Sequence, residues 1–242
     1  MTTTVCATGA PPSAAESARP TIGQTTSPLA IGSVTYRAGA VISSFAMTDQ
    51  KNGPLEQDSE GVRGSYVRGG YQALLKVPGS LIFDSDALPG NTGYGANIRV
   101  EVDVTFVLPS PAEKPNIGLV CFYYLGDENR GAYLFYVTPS GDAFIGRASA
   151  DRSDPVTLEN LPQPSAAIRA TLTNHIQADC VQDGGSVVLV LSVNGTELLR
   201  ARDTNPGHIS EFGNAAFSLV SAPQPGFSAI FSNFRVTEML RV

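Results

Sequence analysis

Between Asn97 and Leu108 the chain alternates strictly: Arg99, Glu101, Asp103 and Thr105 fall on one face, and Val100, Val102, Val104 and Phe106 on the other. A period of two fits a strand with one buried and one polar face, so Glu101 and Asp103 are expected on the solvent side. Shorter runs of the same texture are read at Gln72–Val77, Ile117–Leu125, Ala132–Val137, Ala143–Arg147, Asn174–Cys180, Ser186–Val193, Thr196–Arg202, Ala215–Val220 and Phe227–Thr237. Turn signals separate them: Gly126-Asp127-Glu128-Asn129, Thr138-Pro139-Ser140-Gly141-Asp142 and the two-residue Asn194-Gly195, which suits a tight hairpin. No segment has a helical period beyond a single turn around Ser165–Ile168. About ten to twelve short strands joined by turns call for an all-β two-layer antiparallel sandwich or barrel.

Composition agrees, with 24 Gly, 17 Pro and only 16% charged residues in 242. A net charge of -6 offers no basic surface for a phosphate backbone, so nucleic acid is not an expected partner. No apolar run is long enough for a membrane-spanning helix. Residues 1–30 differ in kind: this Thr/Ala/Ser/Pro-rich stretch lacks alternation and reads as a flexible segment ahead of a domain at 31–242. Cys6 admits two readings. Its Pro/Ser-rich surroundings match a lipid anchor, yet Thr3-Thr4-Val5 is a poor cleavage context, and the other reading is an unpaired thiol.

Six pieces in order carry a resemblance. They are Ser65-Tyr66-Val67-Arg68-Gly69-Gly70-Tyr71, Gly118-Leu119-Val120-Cys121, Tyr133-Leu134-Phe135-Tyr136-Val137 with Gly141 and Arg147, Ala178-Asp179-Cys180, Leu189-Val190-Leu191-Ser192-Val193-Asn194-Gly195, and Phe231-Ser232-Asn233-Phe234-Arg235-Val236. Over about Phe45–Val236 the chain resembles the bacterial concanavalin A-like lectin/glucanase domains of lipoproteins and membrane sensor proteins. The resemblance implies a jelly-roll sandwich with a concave sheet that, with its rim loops, commonly holds glycans. It also implies a Cys121–Cys180 disulfide, and hence an extracytoplasmic location. Two buried free thiols in an intracellular protein are the alternative.

Catalysis has little support in the residues. Laminarinase-like members of the fold class carry Glu-x-Asp-x-x-Glu on one strand, for which retaining hydrolysis needs paired carboxylates. Here Glu101 and Asp103 are present, but Phe106 stands where the second glutamate belongs. The only histidines, His175 and His208, are near no Gly-x-Ser-x-Gly elbow and form no zinc spacing. His175 is expected to decorate a strand surface and His208 to lie in a turn-rich loop. The fold class also carries the expectation of a structural calcium ion, with Asp84, Asp86, Asp127, Glu128 and Asp142 as candidate ligands.

Binding remains. Tyr123, Tyr124 and Tyr136 on adjacent strands, with Arg147, Arg99, Glu101 and Asp103, would form a polar aromatic surface on the concave sheet, while Tyr133 and Phe135 would be core residues. The sequence reads as a non-catalytic recognition or sensor module for a glycan or cell-surface ligand, tethered through its N-terminal segment to a membrane or another domain. A glycoside hydrolase with an unrecognised site and an adhesive surface subunit are the alternatives.

Overall fold

A computed structural model of the chain describes residues 28–50, 54, 56–58, 62–76, 79–84, 97–107, 115–124, 131–149, 155–206, 214–221 and 227–242. In chain order its strands are β1 Leu29–Ile31, β2 Val34–Phe45, β3 Gln57–Asp58, β4 Val62–Val67, β5 Gly70–Leu75, β6 Gly79–Asp84, β7 Asn97–Val107 and β8 Asn116–Tyr124. They continue as β9 Gly131–Val137, β10 Ala143–Ser149, β11 Val156–Asn160, β12 Asn174–Asp183, β13 Ser186–Val193, β14 Thr196–Asp203, β15 Asn214–Ser221 and β16 Phe227–Arg241. All pair antiparallel. The first strand expected from the pattern is β5; four more precede it, and β1 begins at Leu29. Residues 1–27 of the expected N-terminal segment, with Cys6, and also His208 and the turn at Gly126–Asn129 lie outside the described residues, while the last residues of that segment, Leu29 and Ala30, belong to β1.

The strands form two layers. Sheet B runs β11-β10-β9-β8-β15-β6, and the ten-stranded sheet A runs β14-β13-β12-β7-β16-β5-β4-β3, with β2 beside β16 and β1 beside β2. The long β16 is the spine of sheet A. One edge pairs with β7, while the other takes β5 along Phe227–Phe231 and β2 along Phe234–Arg241. Val100, Val102, Val104 and Phe106 of β7 face sheet B and join Leu189, Leu119 and Phe135 in the main core. The expected hairpin is present at Asn194-Gly195, where both residues have positive φ (52° and 80°), as a two-residue turn with right-handed twist demands. Cys121 of β8 and Cys180 of β12 are joined in a disulfide that ties the two sheets together through the core.

Sheet A also curls back on itself. Its far strands approach each other: Arg200 Nη1 on β14 donates to the Ala30 carbonyl on β1 at 3.0 Å, and the Tyr36 hydroxyl on β2 donates to the Gln182 carbonyl on β12 at 3.1 Å. Leu29, Ile31, Tyr36 and Met239 pack on Val181, Val188 and Val190 as a second apolar cluster inside the curl. A groove of about 430 Å³, lined by Ala30, Ile31, Gly32, Val188, Arg200, Ala201 and Arg202, marks where the edges nearly meet. Register shifts between β16 and β2 at Val236/Thr237 and Thr237/Met239 mark the kind of bulge that sharpens sheet twist. The face of β7 away from sheet B therefore lines a concave, partly enclosed surface.

Candidate functional site

The concave face of sheet A carries a polar row over three adjacent strands. Cross-strand register sets Asp103 opposite His175, Glu101 opposite Gln177 and Arg99 opposite Asp179, with β16 flanking β7 on its other side. Here the expectation of acids on a solvent face is corrected. Glu101 and Arg99 are buried because the curl encloses them and because β12 and β16 supply counter-charges. Arg99 grips Asp179 through two hydrogen bonds of 2.6 and 2.9 Å. Arg235 Nε donates to Glu101 Oε2 at 2.8 Å, and Asn233 Nδ2 donates to Asp103 Oδ2 at 2.7 Å.

A bulge makes the β16 contacts possible. Ser232 pairs with Asp103 but Arg235 pairs with Glu101, so Asn233 and Phe234 share one extra step, with Asn233 at φ 54°. Phe234 enters the core while Asn233 and Arg235 meet the carboxylates of β7.

His175 is the second correction, since it lies buried between two acids rather than on a surface. Nδ1 is 2.8 Å from Asp103 Oδ1, and Nε2 is 3.3 Å from Glu101 Oε1. Its backbone is held by Asn194, whose Oδ1 accepts from His175 N at 3.0 Å, so the hairpin turn also positions the imidazole. Burial pulls the His175 pKa down, but hydrogen bonds and charges of Asp103 and Glu101 outweigh it and push the value up to about 9. For Glu101, burial raises the pKa, and His175 with Arg235 more than offsets this, holding the carboxyl below its usual range.

These shifts carry a pH prediction. A folded-state pKa above the unfolded value of 6.5 means that the His175 contribution is complete below 6.5 and disappears as pH rises through about 9. Stability should therefore fall between pH 6.5 and 9.5 by on the order of 2 kcal/mol. Thermal melts across that range should show the decline in the native chain and a flattened profile in His175→Gln; equal slopes would contradict the assignment.

The row opens at one end. Side-chain exposure rises from 2% at Asp179 and 3% at Arg99 to 11% at His175, 13% at Asp103 and 18% at Arg235. Asn233 is exposed beside them. The floor is thus an ion pair, and the mouth is a set of carboxylate, imidazolium, guanidinium and amide groups. Such a set binds hydroxyls from both sides, as acceptor and as donor. Glu101 itself is held ionised and so does not serve as a proton donor, and Phe106, at the position of the second glutamate, points into the core.

Two other expected site residues, Tyr136 and Arg147, do not join this surface. Tyr136 lies on sheet B, buried on its outer face with Val120, Ala132 and Leu134 and 5.1 Å from the Phe144 ring. Arg147 pairs in register with Tyr133, not Tyr136, and so faces inward. There it donates to Asp203 at 2.8 Å, as does the Tyr133 hydroxyl at 3.0 Å, fastening β9 and β10 to β14. Burial pushes the Tyr133 phenol pKa up, and the Asp203 charge adds to the shift. Tyr123 and Tyr124 are placed in β8, and their side chains are outside the described residues. Of the calcium candidates, Asp142 accepts hydrogen bonds from Ser140 and Thr138 in its own turn. Asp86, Asp127, Glu128 and the Asp84 side chain lie outside the described residues.

Sequence reasoning did not single out Gln177, Asp179, Asn233 or Arg235 as members of the row. One signal was available: Phe231 and Phe234 are both core residues at a spacing of three, which breaks a period of two and marks the bulge.

Solved structures share this architecture. A Bacillus subtilis protein of unknown function with a galectin-like fold superposes with a TM-score of 0.61 at 13% identity, covering 86% of this chain and 100% of that one. The fold is a galectin-like jelly roll. The same jelly roll relates it to the carbohydrate-binding module CBM66 from Bacillus subtilis, with a TM-score of 0.52 and 12% identity over 73% of this chain and 92% of that one. No protein-family model and no curated protein sequence matches the chain.

Proposed function

We propose that this jelly roll is a non-catalytic glycan-binding module acting outside the cytoplasm, with the mouth of the sheet A curl as its ligand surface. The observation that carries the reading is the convergence of Asp103, His175, Asn233 and Arg235 at the open end of a polar row otherwise buried in a concave sheet. A carboxylate, an imidazolium, an amide and a guanidinium close together recognise vicinal hydroxyls, each of which needs a donor and an acceptor. The carbohydrate-binding module that shares the fold supports the same ligand class. The Cys121–Cys180 bond supports an oxidising compartment, where such bonds persist. Tethered by its N-terminal segment to a membrane or a neighbouring domain, the module would serve recognition or sensing.

The test is an immobilised panel of neutral and acidic oligosaccharides, combined with product analysis of the soluble sugars after incubation. Binding to a subset without new reducing ends is expected. Asn233→Gly keeps the positive φ that glycine favours and removes the amide; it should weaken binding about fivefold, the worth of one hydrogen bond, with the melting temperature little changed. Absence of binding across the panel, or turnover of a bound sugar, would overturn the reading.

A further inference from the structure

Gln177 stands one pair deeper in the curl than His175, opposite Glu101 on β7 and Ser192 on β13. It is 95% buried, from a relative exposure of 5%. Its Nε2 donates to Asp179 Oδ2 at 3.2 Å, which fixes the amide, because the flipped rotamer would set oxygen against carboxylate. Its Oε1 is buried and has no hydrogen-bond partner among the described residues. A buried amide oxygen without a donor is costly and uncommon. Its register partner Glu101 is ionised and can only accept, and Arg99, one pair deeper, is turned to Asp179.

We infer that Gln177 Oε1 is the acceptor for a hydroxyl of a neutral saccharide held in the curl, and that acidic glycans are excluded. This rests on the glycan-binding reading above and adds a contact and a ligand class to it. The charge argument is independent of the orphan oxygen. Arg99, Arg235 and His175 face Glu101, Asp103 and Asp179, three cations against three anions, each cation paired with a carboxylate of the row. A uronate or sialate carboxylate would have to displace one of those carboxylates from its cation, and a neutral hydroxyl displaces none. The open end and the small acceptor deep inside suit one projecting hydroxyl better than a charged, heavily hydrated group.

The test uses the whole chain and calorimetric titration of neutral gluco-, galacto-, manno- and fructo-oligosaccharides, their monodeoxy analogues and their uronic-acid counterparts. With the unaltered chain, one monodeoxy analogue of the preferred sugar should bind about tenfold more weakly than its parent, the penalty of leaving a buried acceptor unpaired, and the acidic counterpart should bind at least that much more weakly. In Gln177→Met, the parent should lose about tenfold and that deoxy analogue nothing further. A structural role alone would weaken parent and analogue alike. Binding of some saccharide with no deoxy penalty, or equal affinity for the acidic form, overturns this inference and leaves the glycan-binding reading standing. No saccharide binding at all overturns both.

Discussion

Replacing Cys121 and Cys180 together by alanine should lower the unfolding free energy by about 4 kcal/mol, the chain entropy released when a closed loop of this length is opened. The two residues are 59 apart in sequence and join β8 of one sheet to β12 of the other. Their removal therefore frees the unfolded chain and unfastens the two layers of the sandwich. Since a domain of this kind has a total stability of roughly 5–15 kcal/mol, the loss is a large share of the whole. Guanidinium unfolding of native, reduced and doubly substituted chains measures it, with intact mass before and after reduction verifying the bond. Reduced and oxidised chains with superposable unfolding curves would show that the bridge contributes nothing.

The second large effect belongs to the floor of the curl. Arg99 and Asp179 are both buried and joined by two hydrogen bonds. Taking away one partner leaves the other without its counter-charge where water does not reach, at a cost of about 3–5 kcal/mol. Arg99→Met and Asp179→Leu should each destabilise by that amount. The double variant should recover most of the loss, because an apolar pair of similar volume avoids the desolvation that burial imposes on two ions. A double-mutant cycle from denaturant midpoints reads the coupling directly. If the double variant lost the sum of the two single losses, the pair would not be acting as a unit.

The layered fold was legible because its signals are local. The strand signalled by the alternation after Asn97, the Asn194-Gly195 turn and the run of short strands each depend on a few neighbouring residues, and each is present in the fold. The site was only partly legible. Arg99, Glu101 and Asp103 share a face as the alternation requires, but their partners lie 72 to 134 residues away, at His175, Asp179 and Arg235. No local pattern shows that a polar face is enclosed when the sheet around it curls. The pairing of Tyr136 with Arg147 failed for a different reason. Through the hairpin turn at Pro139–Asp142, Tyr136 registers with Phe144 and Arg147 with Tyr133, so the two side chains point to opposite faces of sheet B. Counting across that turn gives the answer, because a period of two leaves no freedom once the register is set.

The claim that the mouth of sheet A is the ligand surface is tested most directly by mapping backbone amide shifts of the isotope-labelled chain during titration with a saccharide that it binds. The account predicts perturbations concentrated at Asp103, Thr105, His175, Asn233 and Arg235, the residues at and around the open end of the polar row. Perturbations centred instead on Val120, Leu134, Tyr136 and Phe144 would place the ligand on the outer face of sheet B and contradict it.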